Sequence, residues 1–560
     1  MHTARTAATP AGWTPPVRAA SGATPGRQPG AAPRALSLRL WFWLDALALL
    51  LSALAAARPL SVPDEGRYAD ISRWMLMSGN WLVPRLDGLP FFQKPPLTHW
   101  LQAAGMAVFG VHPWAVRLPG IALALLMIFM TVVAVRRMLG NALAERAALM
   151  LGTSIAVLIG APYVNHDMGV AAWISVAIWS FALAFAHGER PHAGWAYVGF
   201  LACALGLLTK GLIGVALPAL VLFVWISWTR QWRKAWRLPW TSGLALFAIV
   251  ALPWFVWVGL RFPGALTYLF WVQQFDRYIG TEFNNTQPWW FYLADLALLL
   301  FPWSLFAVME MFRSVRRRRA PAPAPRAPAN PWKTLCWIWL AVVVLFFSIP
   351  SSKLIGYAFP ALPPLAVLAA FGWHRCMRGR GHAARWFVTL AAVPMLTAVV
   401  LTPLYPAIDT HGAAHEIGLE LRPRLAPEDV VLVAGGYPFD LPFVARTRTP
   451  LVVLQDWPQQ RRTAGDVWQR ELFEAGDFEP ALAARILRTP DLLPKAALQP
   501  HRWLVVRTLP DGRGPSIPPA WRPVARGPSW ALYQSSPAPA SASAAHGQAS
   551  APLPESRSAP

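Results

Sequence analysis

The stretch Pro63-Asp64-Glu65-Gly66-Arg67-Tyr68 follows the first hydrophobic run of this chain, and Phe92-Gln93-Lys94-Pro95-Pro96 comes one loop later. The first stretch places two carboxylates beside an arginine, and the second adds a lysine, where a hydrophobic segment meets water. Charged groups in such a place cost free energy unless they are solvated, paired or used. These residues therefore decide whether the chain is a plain bundle of membrane helices or a membrane enzyme.

The composition indicates a polytopic membrane protein. Of the 560 residues, 55% are hydrophobic and only 14% are charged, whereas a soluble protein carries about 25% charged residues. The mean hydropathy is +0.37, and the 31 Trp and 28 Phe are typical of aromatic belts at two membrane interfaces.

The formal net charge of +23 does not indicate a nucleic-acid partner. The basic residues lie between hydrophobic segments instead of gathering on one soluble domain. We interpret them as topology signals and as contacts with anionic phospholipids. The three cysteines, Cys203, Cys336 and Cys376, lie in or beside apolar segments. Their spacing builds neither a disulfide framework nor a cysteine metal site, so we expect packing thiols.

About eleven membrane spans are predicted, at roughly 20 apolar residues for each helix. They lie at 39–58, 114–135, 147–163, 168–187, 193–209, 211–228, 239–260, 289–312, 333–350, 354–373 and 386–404. With the N-terminus placed in the cytoplasm, clusters of arginine and lysine fall in the even-numbered gaps, for example at 136–146, 230–237, 313–319 and 375–385. This distribution follows the positive-inside rule.

The chain divides into four regions by composition. Residues 1–36 predict a disordered cytoplasmic arm, 37–404 the transmembrane domain, 405–535 a small external α/β domain and 536–560 a disordered tail. Within the transmembrane domain, 59–113 and 261–288 are large external loops and 313–332 is a cytoplasmic linker. The β-rich runs at 430–433, 451–454, 503–506 and 530–533 predict the strands of the α/β domain.

The unusual polar residues converge on the external face of this topology. Five separate segments supply acids, bases and a tyrosine there, and such convergence indicates a functional site. The candidates are Asp64, Glu65, Arg67, Lys94, Asp167, Lys210, Arg277, Lys353 and Tyr357.

Each candidate also has a plain structural interpretation. Lys94 and Lys353 can be lysines whose charged ends reach water from helix ends. Asp64, with Glu65, and Asp167 can cap the helices that begin at these positions. Lys210 is harder to explain this way, because it lies between two apolar runs and a lysine on the outer face opposes the positive-inside rule.

Taken together, the candidates fit transfer from a lipid phosphate. Lysine and arginine can stabilise a departing phosphate, and a tyrosine hydroxyl can donate one further hydrogen bond. A carboxylate can deprotonate an acceptor or stabilise a sugar cation. A soluble phosphate donor would call for a Gly-rich phosphate loop, which the sequence lacks. We therefore expect the donor to lie in the bilayer.

At these residues the chain resembles the integral-membrane glycosyltransferases that use polyprenyl-phosphate sugars. The bacterial aminoarabinose transferases that modify lipid A, relatives of the protein O-mannosyltransferases, are the most similar in pattern. The resemblance covers roughly residues 40–373, and its order and topology are specific although each motif is short. The matching motifs are Asp64-Glu65-Gly66-Arg67-Tyr68-Ala69, Gly79-Asn80-Trp81-Leu82-Val83-Pro84, Lys94-Pro95, Thr209-Lys210-Gly211, Trp271-Val272, Arg277, Trp289-Trp290-Phe291-Tyr292, and Ser352-Lys353-Leu354 with Tyr357 and Pro360.

The resemblance implies a mainly α, polytopic helix bundle of the C-type glycosyltransferase fold in the bacterial inner membrane. Its N-terminus would be cytoplasmic and its small C-terminal α/β domain periplasmic. The implied substrates are an undecaprenyl-phosphate-linked sugar and lipid A or another envelope acceptor, with inversion at the sugar carbon. No cofactor is required by this resemblance, and a divalent cation is possible.

The resemblance also implies roles for individual residues. Asp64 and Asp167 would be the catalytic acids. Lys94, Arg277 and Tyr357 would bind the donor phosphate, with support from Arg67 and Lys210. Glu65 and Lys353 are further candidates.

Two departures from the family pattern leave the sugar and the acceptor open. Gln93 stands where the family often has a glutamate before the lysine, and the last predicted span ends near Leu404, about two spans earlier than in aminoarabinose transferases. A protein O-glycosyltransferase is therefore an alternative. A sugar-lipid transporter is a second one, although its usual broken helices and charges at mid-span are not evident in the sequence.

Overall fold

The computed structural model describes residues 38–186, 188–276, 285–319, 330–408, 412–463, 465, 467–508 and 515–536. The predicted arm at 1–36 and nearly all of the predicted tail lie outside these residues, as does the centre of the cytoplasmic linker. Residues 1–43 and 44–560 form two units. The first unit is described only where helix α1 begins, and all the other elements belong to the second unit.

The first half of the chain is helical apart from one short hairpin of strands. Its helices are α1 (Leu38–Ala56), α2 (Asp64–Ser78), α3 (Leu97–Phe109), α4 (Pro113–Leu139), α5 (Asn141–Gly152), α6 (Ile155–Gly160), α7 (Asp167–Phe185), α8 (Ala193–Lys210), α9 (Ile213–Thr229), α10 (Trp232–Ala235), α11 (Trp240–Arg261) and α12 (Ala265–Thr267). Strands β1 (Arg85–Leu86) and β2 (Leu89–Pro90) pair between α2 and α3. A π-helix, Tyr268–Asp276, follows α12.

The later membrane region continues with α13 (Phe291–Leu299), α14 (Ser304–Arg319), α15 (Pro331–Ser348), a 3-10 helix (Ile355–Ala361), α16 (Leu362–Met377) and α17 (Ala383–Ile408). In the described part of the chain, eight helices are long and apolar enough to cross a membrane, and α9 is a shorter apolar helix. The protein is therefore a multi-span membrane protein, as predicted.

Two of the eleven predicted spans are interrupted. The segment 147–163 is divided between α5 and α6, because Ser154 leaves the helical conformation and caps α6 by accepting a hydrogen bond from the Val157 N–H. The segment 289–312 is divided between α13 and α14, because Pro302 lacks the N–H that a continuous helix needs. Eight of the other predicted spans each coincide with one helix, and the segment 354–373 continues without a break from the 3-10 helix Ile355–Ala361 into α16. The count of eleven crossings stays a prediction.

Helix α7 lies at the centre of the bundle, because 94% of its apolar stretch is buried. Its neighbours approach closely where residues are small. A side chain at Gly214 of α9 would lie 2.2 Å from the Gly206 carbonyl carbon of α8, so only glycine fits at this crossing. This packing fixes the end of α8, which carries the candidate Lys210.

The chain after α17 forms an α/β domain. Its strands are β3 (Val430–Ala434), β4 (Val452–Leu454), β5 (Leu487–Arg488), β6 (Arg502–Arg507), β7 (Trp521–Arg526) and β8 (Trp530–Ser535), and its helices are α18 (His415–Leu421), α19 (Leu441–Ala445), α20 (Trp457–Thr463), α21 (Arg470–Gly476), α22 (Pro480–Ile486) and α23 (Leu492–Ala497). A short 3-10 helix, Arg422–Arg424, follows α18. The strand order is β5-β4-β3-β6-β8-β7. The four predicted strands are confirmed, and the short β5 and the polar β7 were not predicted.

The α/β domain packs directly on α2 and the β1–β2 hairpin. Gly66 of α2 approaches the domain so closely that a side chain there would lie 2.8 Å from the Asp440 nitrogen. The Asp87 carboxylate accepts a 2.8 Å hydrogen bond from the Leu451 N–H, and Arg85 pairs with Glu479 at 2.7 Å. The first large loop and the C-terminal domain therefore form one continuous structure at the end of the bundle.

Candidate functional site

A cavity of about 540 Å³ lies between the helix ends, the first large loop and the C-terminal domain. Six of the nine residues singled out from the sequence line it: Asp64, Arg67, Lys94, Asp167, Lys210 and Tyr357. They come from five separate parts of the chain, so the predicted convergence is present in the structure.

The helix geometry explains why these residues meet. Asp167 begins α7 and Lys210 ends α8, so neighbouring helices running in opposite directions present both side chains at the same end. Asp64 begins α2 soon after α1 ends, and Tyr357 lies in the 3-10 helix just before α16. The arginine clusters that follow α4, α9 and α16 lie at the opposite helix ends.

The first group in the cavity is centred on Arg67. Its guanidinium pairs with Asp64 at 2.6 Å and with Glu471 of the C-terminal domain. It lies over the rings of Tyr68, 4.4 Å away, and Trp468, 4.6 Å away. Burial raises the pKa of Glu471 although Arg67 opposes this shift. Arg67 is 3% exposed and Asp64 36%, so Asp64 is the member of this ion pair that a ligand can reach.

The second group joins Asp167, Lys210 and Tyr357. The Lys210 ammonium donates to the Asp167 carboxylate and lies 4.4 Å from the centre of the Tyr357 ring. The Asp167 carboxylate also accepts from the Asn165 amide at 3.3 Å. Gly356 is needed beside this group, because a side chain there would come within 2.3 Å of the Asp167 Oδ2 atom. Lysine, carboxylate and phenol thus share one wall of the cavity.

Two candidates lie away from the cavity. Glu65 is fully buried and pairs with Arg58 and, at 2.7 Å, with Arg117. Burial alone would raise the pKa of Glu65, but the two arginines hold it well below its usual range. Lys353 is 4% exposed and donates to the Gln287 carbonyl at 3.0 Å. Both side chains therefore connect neighbouring segments of the chain outside the cavity.

Arg277 lies outside the described residues, so its predicted contact with a phosphate stays a prediction. The segment that leads to it is described up to Asp276, and Gln273 of that segment lines the cavity. The backbone thus runs beside the site just before Arg277.

A second cavity, of about 360 Å³, adjoins the first. The two share Lys94, Lys210, Gln273 and Tyr357. Beyond these residues the walls of the second cavity are largely apolar, and they include Leu212, Ile213, Ala216, Phe346 and Phe347. A polar chamber therefore opens into an apolar groove, and the shared lysines and tyrosine stand at the junction.

Sequence reasoning missed the part of the wall that the C-terminal domain supplies. Trp468, Arg470, Glu471 and Glu474 line the cavity, and Glu474 accepts a 2.6 Å hydrogen bond from the Tyr268 hydroxyl. In the sequence, only the acidic residues of the short α21 and a nearby tryptophan point to this wall. Such a combination is common on protein surfaces and does not indicate a site by itself. Within the described part of the chain, no three His, Cys, Asp or Glu side chains are arranged to hold a metal ion.

The family described as dolichyl-phosphate-mannose-protein mannosyltransferase matches residues 93–257. The undecaprenyl phosphate-alpha-4-amino-4-deoxy-L-arabinose arabinosyl transferase 2 of Pseudomonas fluorescens (strain Pf0-1) is 33% identical over 335 residues, which are 58% of this chain and 59% of that protein. The corresponding transferase of Pseudomonas aeruginosa PAO1 is 31% identical over 359 residues, covering 62% and 63%. The chain thus spans about three fifths of the length of these relatives.

Solved structures extend the similarity to the fold. The crystal structure of ArnT from Cupriavidus metallidurans bound to undecaprenyl phosphate has a TM-score of 0.74 and 25% identity, covering 90% of this chain and all of that chain. The apo crystal structure of the same protein has a TM-score of 0.71 and 23% identity, with 88% and 97% covered. This chain is therefore related in sequence and in fold to polyprenyl-phosphate-dependent membrane glycosyltransferases, and the predicted mainly α membrane bundle of the C-type glycosyltransferase fold with a small C-terminal α/β domain is confirmed.

Proposed function

We propose, from this relationship and from the site, that the chain is a glycosyltransferase of the bacterial inner membrane. It moves a sugar from an undecaprenyl-phosphate-linked donor to lipid A or another acceptor of the cell envelope. The donor follows from the relatives, which are named for an undecaprenyl-phosphate aminoarabinose donor, and from the ArnT structure with undecaprenyl phosphate bound. Lipid A is the acceptor that the resemblance to the aminoarabinose transferases implies.

The observation that carries this proposal is the junction between the polar chamber and the apolar groove. A lipid-linked sugar has an apolar chain, an anionic phosphate and a polar sugar in that order. The groove beside Phe346 and Phe347 suits the chain, and the chamber beside Asp64 suits the sugar. The phosphate then falls at Lys94, Lys210 and Tyr357, where positive charge and a hydroxyl donor are available.

The reaction is a displacement at the sugar carbon that carries the phosphate. An acceptor oxygen forms a bond to this carbon while the bond from the carbon to the phosphate oxygen breaks, and both electrons of that bond leave with the phosphate. Attack from the opposite face inverts the carbon. Lys94 and Lys210 stabilise the charge that grows on the departing phosphate, which is the electrostatic contribution that matters most in such transfers. Arg277 adds a further cation in this proposal.

Asp64 serves the acceptor side of the reaction. A phosphate acceptor on lipid A is already ionised near neutral pH, so Asp64 then positions it or stabilises positive charge on the sugar. A hydroxyl acceptor must lose its proton, and Asp64 takes it as a general base. Asp167 holds Lys210 through their ion pair and thereby positions that lysine for the phosphate. We propose no cofactor for these steps, and a divalent cation is tested by adding a chelator.

The orientation in the membrane is part of the proposal. The arginine clusters after α4, α9 and α16 lie at the helix ends opposite the cavity, and positive residues mark the cytoplasmic side. The site and the α/β domain then face the periplasm, where a lipid-linked donor and envelope acceptors are both present.

A protein acceptor is the second candidate. The match at 93–257 favours it, because the matching family is described as dolichyl-phosphate-mannose-protein mannosyltransferase. The donor phosphate would bind in the same way for either acceptor.

Mass spectrometry of reaction products separates these candidates. Purified full-length protein in lipid nanodiscs is supplied with undecaprenyl-phosphate aminoarabinose or undecaprenyl-phosphate hexose, together with lipid A or periplasmic proteins. We expect a sugar adduct on lipid A. An adduct only on protein would assign the second function. Movement of the donor across the bilayer without any adduct would contradict the proposal and indicate a transporter.

A further inference from the structure

A third cavity, of about 520 Å³, lies on another side of α2, between the helix and the C-terminal domain. It shares no lining residue with the chamber or the groove. Its lining includes four arginines, Arg73, Arg422, Arg446 and Arg448, and a single carboxylate residue, Asp429.

The carboxylate does not neutralise these arginines. Asp429 is 6% exposed, and its oxygens accept from the Trp503 indole at 2.8 Å and from the Ala426 N–H at 2.9 Å. The Nδ1 atom of His501 lies 3.1 Å from the Oδ1 atom of Asp429. Its hydrogen bonds are therefore made within the C-terminal domain.

Arg73 forms the floor of the cavity and is already held in place. It is 4% exposed and pairs with Asp70 at 2.7 Å, while its Nη1 donates to the Thr447 carbonyl at 2.8 Å. These contacts hold the Arg73 guanidinium between α2 and the C-terminal domain. None of them involves the other three arginines.

Arg446 is held in an uncommon backbone conformation. It follows α19 as the C-cap residue with a φ of 55°, a conformation that helices usually give to glycine at this end. Its Nη2 donates to the Val111 carbonyl at 3.0 Å. Burial lowers the pKa of Arg446, and the positive charges of Arg422 and Arg73 lower it further. Like charges are thus crowded here, and an anion would relieve their repulsion.

The position of the cavity indicates what kind of anion reaches it. Val111 lies between α3 and the start of α4, a helix long and apolar enough to span. Exposed apolar residues surround this point, including Val108 and Phe109, which are 73% and 51% exposed. Leu76, Met77 and Leu425 give the cavity an apolar side. A basic cavity with an apolar side at a membrane surface suits a phosphate carried on a lipid.

We propose that this cavity is a second anion site, separate from the donor site, that binds a phosphate group. Arg422 and Arg448 supply the accessible charge, and Arg446 supplies a fixed charge behind them, while Arg73 is already paired with Asp70. The phosphate can belong to a lipid headgroup or be free in solution, and its chemistry at the arginines is the same.

The test is ligand binding by the purified full-length protein in detergent. The probes are dioctanoyl phosphatidic acid, dioctanoyl phosphatidylcholine and inorganic phosphate. The variant is Arg422→Ala/Arg448→Ala, in which both changed residues are exposed. The control is Arg424→Ala/Arg462→Ala, which removes the same charge at exposed residues that do not line the cavity.

We expect phosphatidic acid to bind the variant at least roughly tenfold more weakly than the wild type, since charge-assisted hydrogen bonds are lost. The control should bind it as the wild type does. Much tighter binding of phosphatidic acid than of inorganic phosphate would assign the site to a lipid headgroup, and equal binding would assign it to free phosphate. Equal weakening in variant and control, or equal binding of phosphatidylcholine, would overturn the proposal.

A variant of the donor site shows whether phosphatidic acid binding at the second anion site is independent of donor binding. Lys94→Ala should keep the phosphatidic acid affinity that depends on Arg422 and Arg448, because Lys94 lies in the other cavities. If the glycosyltransferase proposal fails, this binding result still stands, and if the second anion site fails, sugar transfer is unaffected.

Discussion

Adjacent residues at the start of α2 have opposite surroundings. Asp64 is partly exposed in the cavity and pairs with one arginine. Glu65 is fully buried and pairs with two. A buried ion pair that loses one partner leaves an uncompensated charge, which is costly. The first carboxylate is therefore available for chemistry, and the second holds the structure together.

The variants Asp64→Asn and Glu65→Gln should separate these two tasks. Asp64→Asn should lower sugar transfer by roughly a hundredfold or more, the size of a general acid–base contribution, with little change in thermal unfolding in detergent. Glu65→Gln should destabilise the protein by about 3–5 kcal/mol, because Arg58 and Arg117 lose their counter-charge. A stable, inactive Glu65→Gln protein would contradict this division.

The 3-10 helix at Ile355–Ala361 positions the second group of the site. Gly356 lets it approach α7 so closely that Asp167 fits beside it. Gly356→Ala should therefore displace the Asp167 carboxylate from Lys210 and lower sugar transfer, measured as kcat with the lipid-linked donor. The matched control is Gly381→Ala, where a side chain meets no atom within 4 Å. Equal activity of the two variants would show that this approach has no effect on the site.

The pairing of α2 with α3 should depend on pH. His99 of α3 is buried beside the Ser72 hydroxyl of α2, at 3.0 Å, and burial lowers its pKa to about 3 from 6.5. As the pH falls, His99 is protonated in the unfolded chain before it is protonated in the folded protein. The free energy of unfolding should therefore rise with pH between about 3 and 6.5 and be constant above that range.

This pH dependence is measured by thermal unfolding in detergent at pH 4.5 to 7.5. His99 should contribute a slope of at most about 1.4 kcal/mol per pH unit. His99→Gln should reduce the slope, while the exposed His382→Gln should leave it unchanged. His166 retains part of the slope in both variants, because burial also lowers its pKa. An unaltered slope in His99→Gln would contradict this assignment.

Most of the helices could be predicted because their apolar runs are long. The interruptions at Ser154 and Pro302 could not, since short breaks within apolar runs leave hydropathy almost unchanged. The site was predicted where residues broke a membrane rule, as Lys210 does. Glu471 and Trp468 break no such rule, because the α/β domain is polar outside. Their place in the cavity depends on how the domain packs on α2, which single-sequence patterns do not encode.

At the scale of the whole molecule, the α/β domain forms a wall of the site. Glu471 pairs with Arg67, which in turn holds Asp64. Glu471→Gln should therefore lower both stability and sugar transfer, because Arg67 loses a buried counter-charge. Glu420→Gln is the matched control, since Glu420 is exposed and pairs with Arg424 on the surface, where such pairs contribute little. Equal transfer by the two variants would contradict a role of the domain in the site.

The orientation of the whole chain in the membrane can be tested with reporter fusions. A phosphatase reporter fused after residue 536 should be active, as it is only in the periplasm, and one fused after residue 315 should be inactive. The opposite pattern would place the cavity in the cytoplasm and contradict the proposed access of envelope acceptors.

The most direct test of the central claim is sugar transfer from radiolabelled undecaprenyl-phosphate aminoarabinose to lipid A by the purified protein. Lys94 stands at the junction of both cavities, and Lys495 is an exposed lysine remote from them. The account predicts transfer by the wild type and by Lys495→Ala, and a loss of roughly 10- to 100-fold in kcat/KM for Lys94→Ala, the equivalent of one charge-assisted contact. Equal transfer by all three proteins would contradict it.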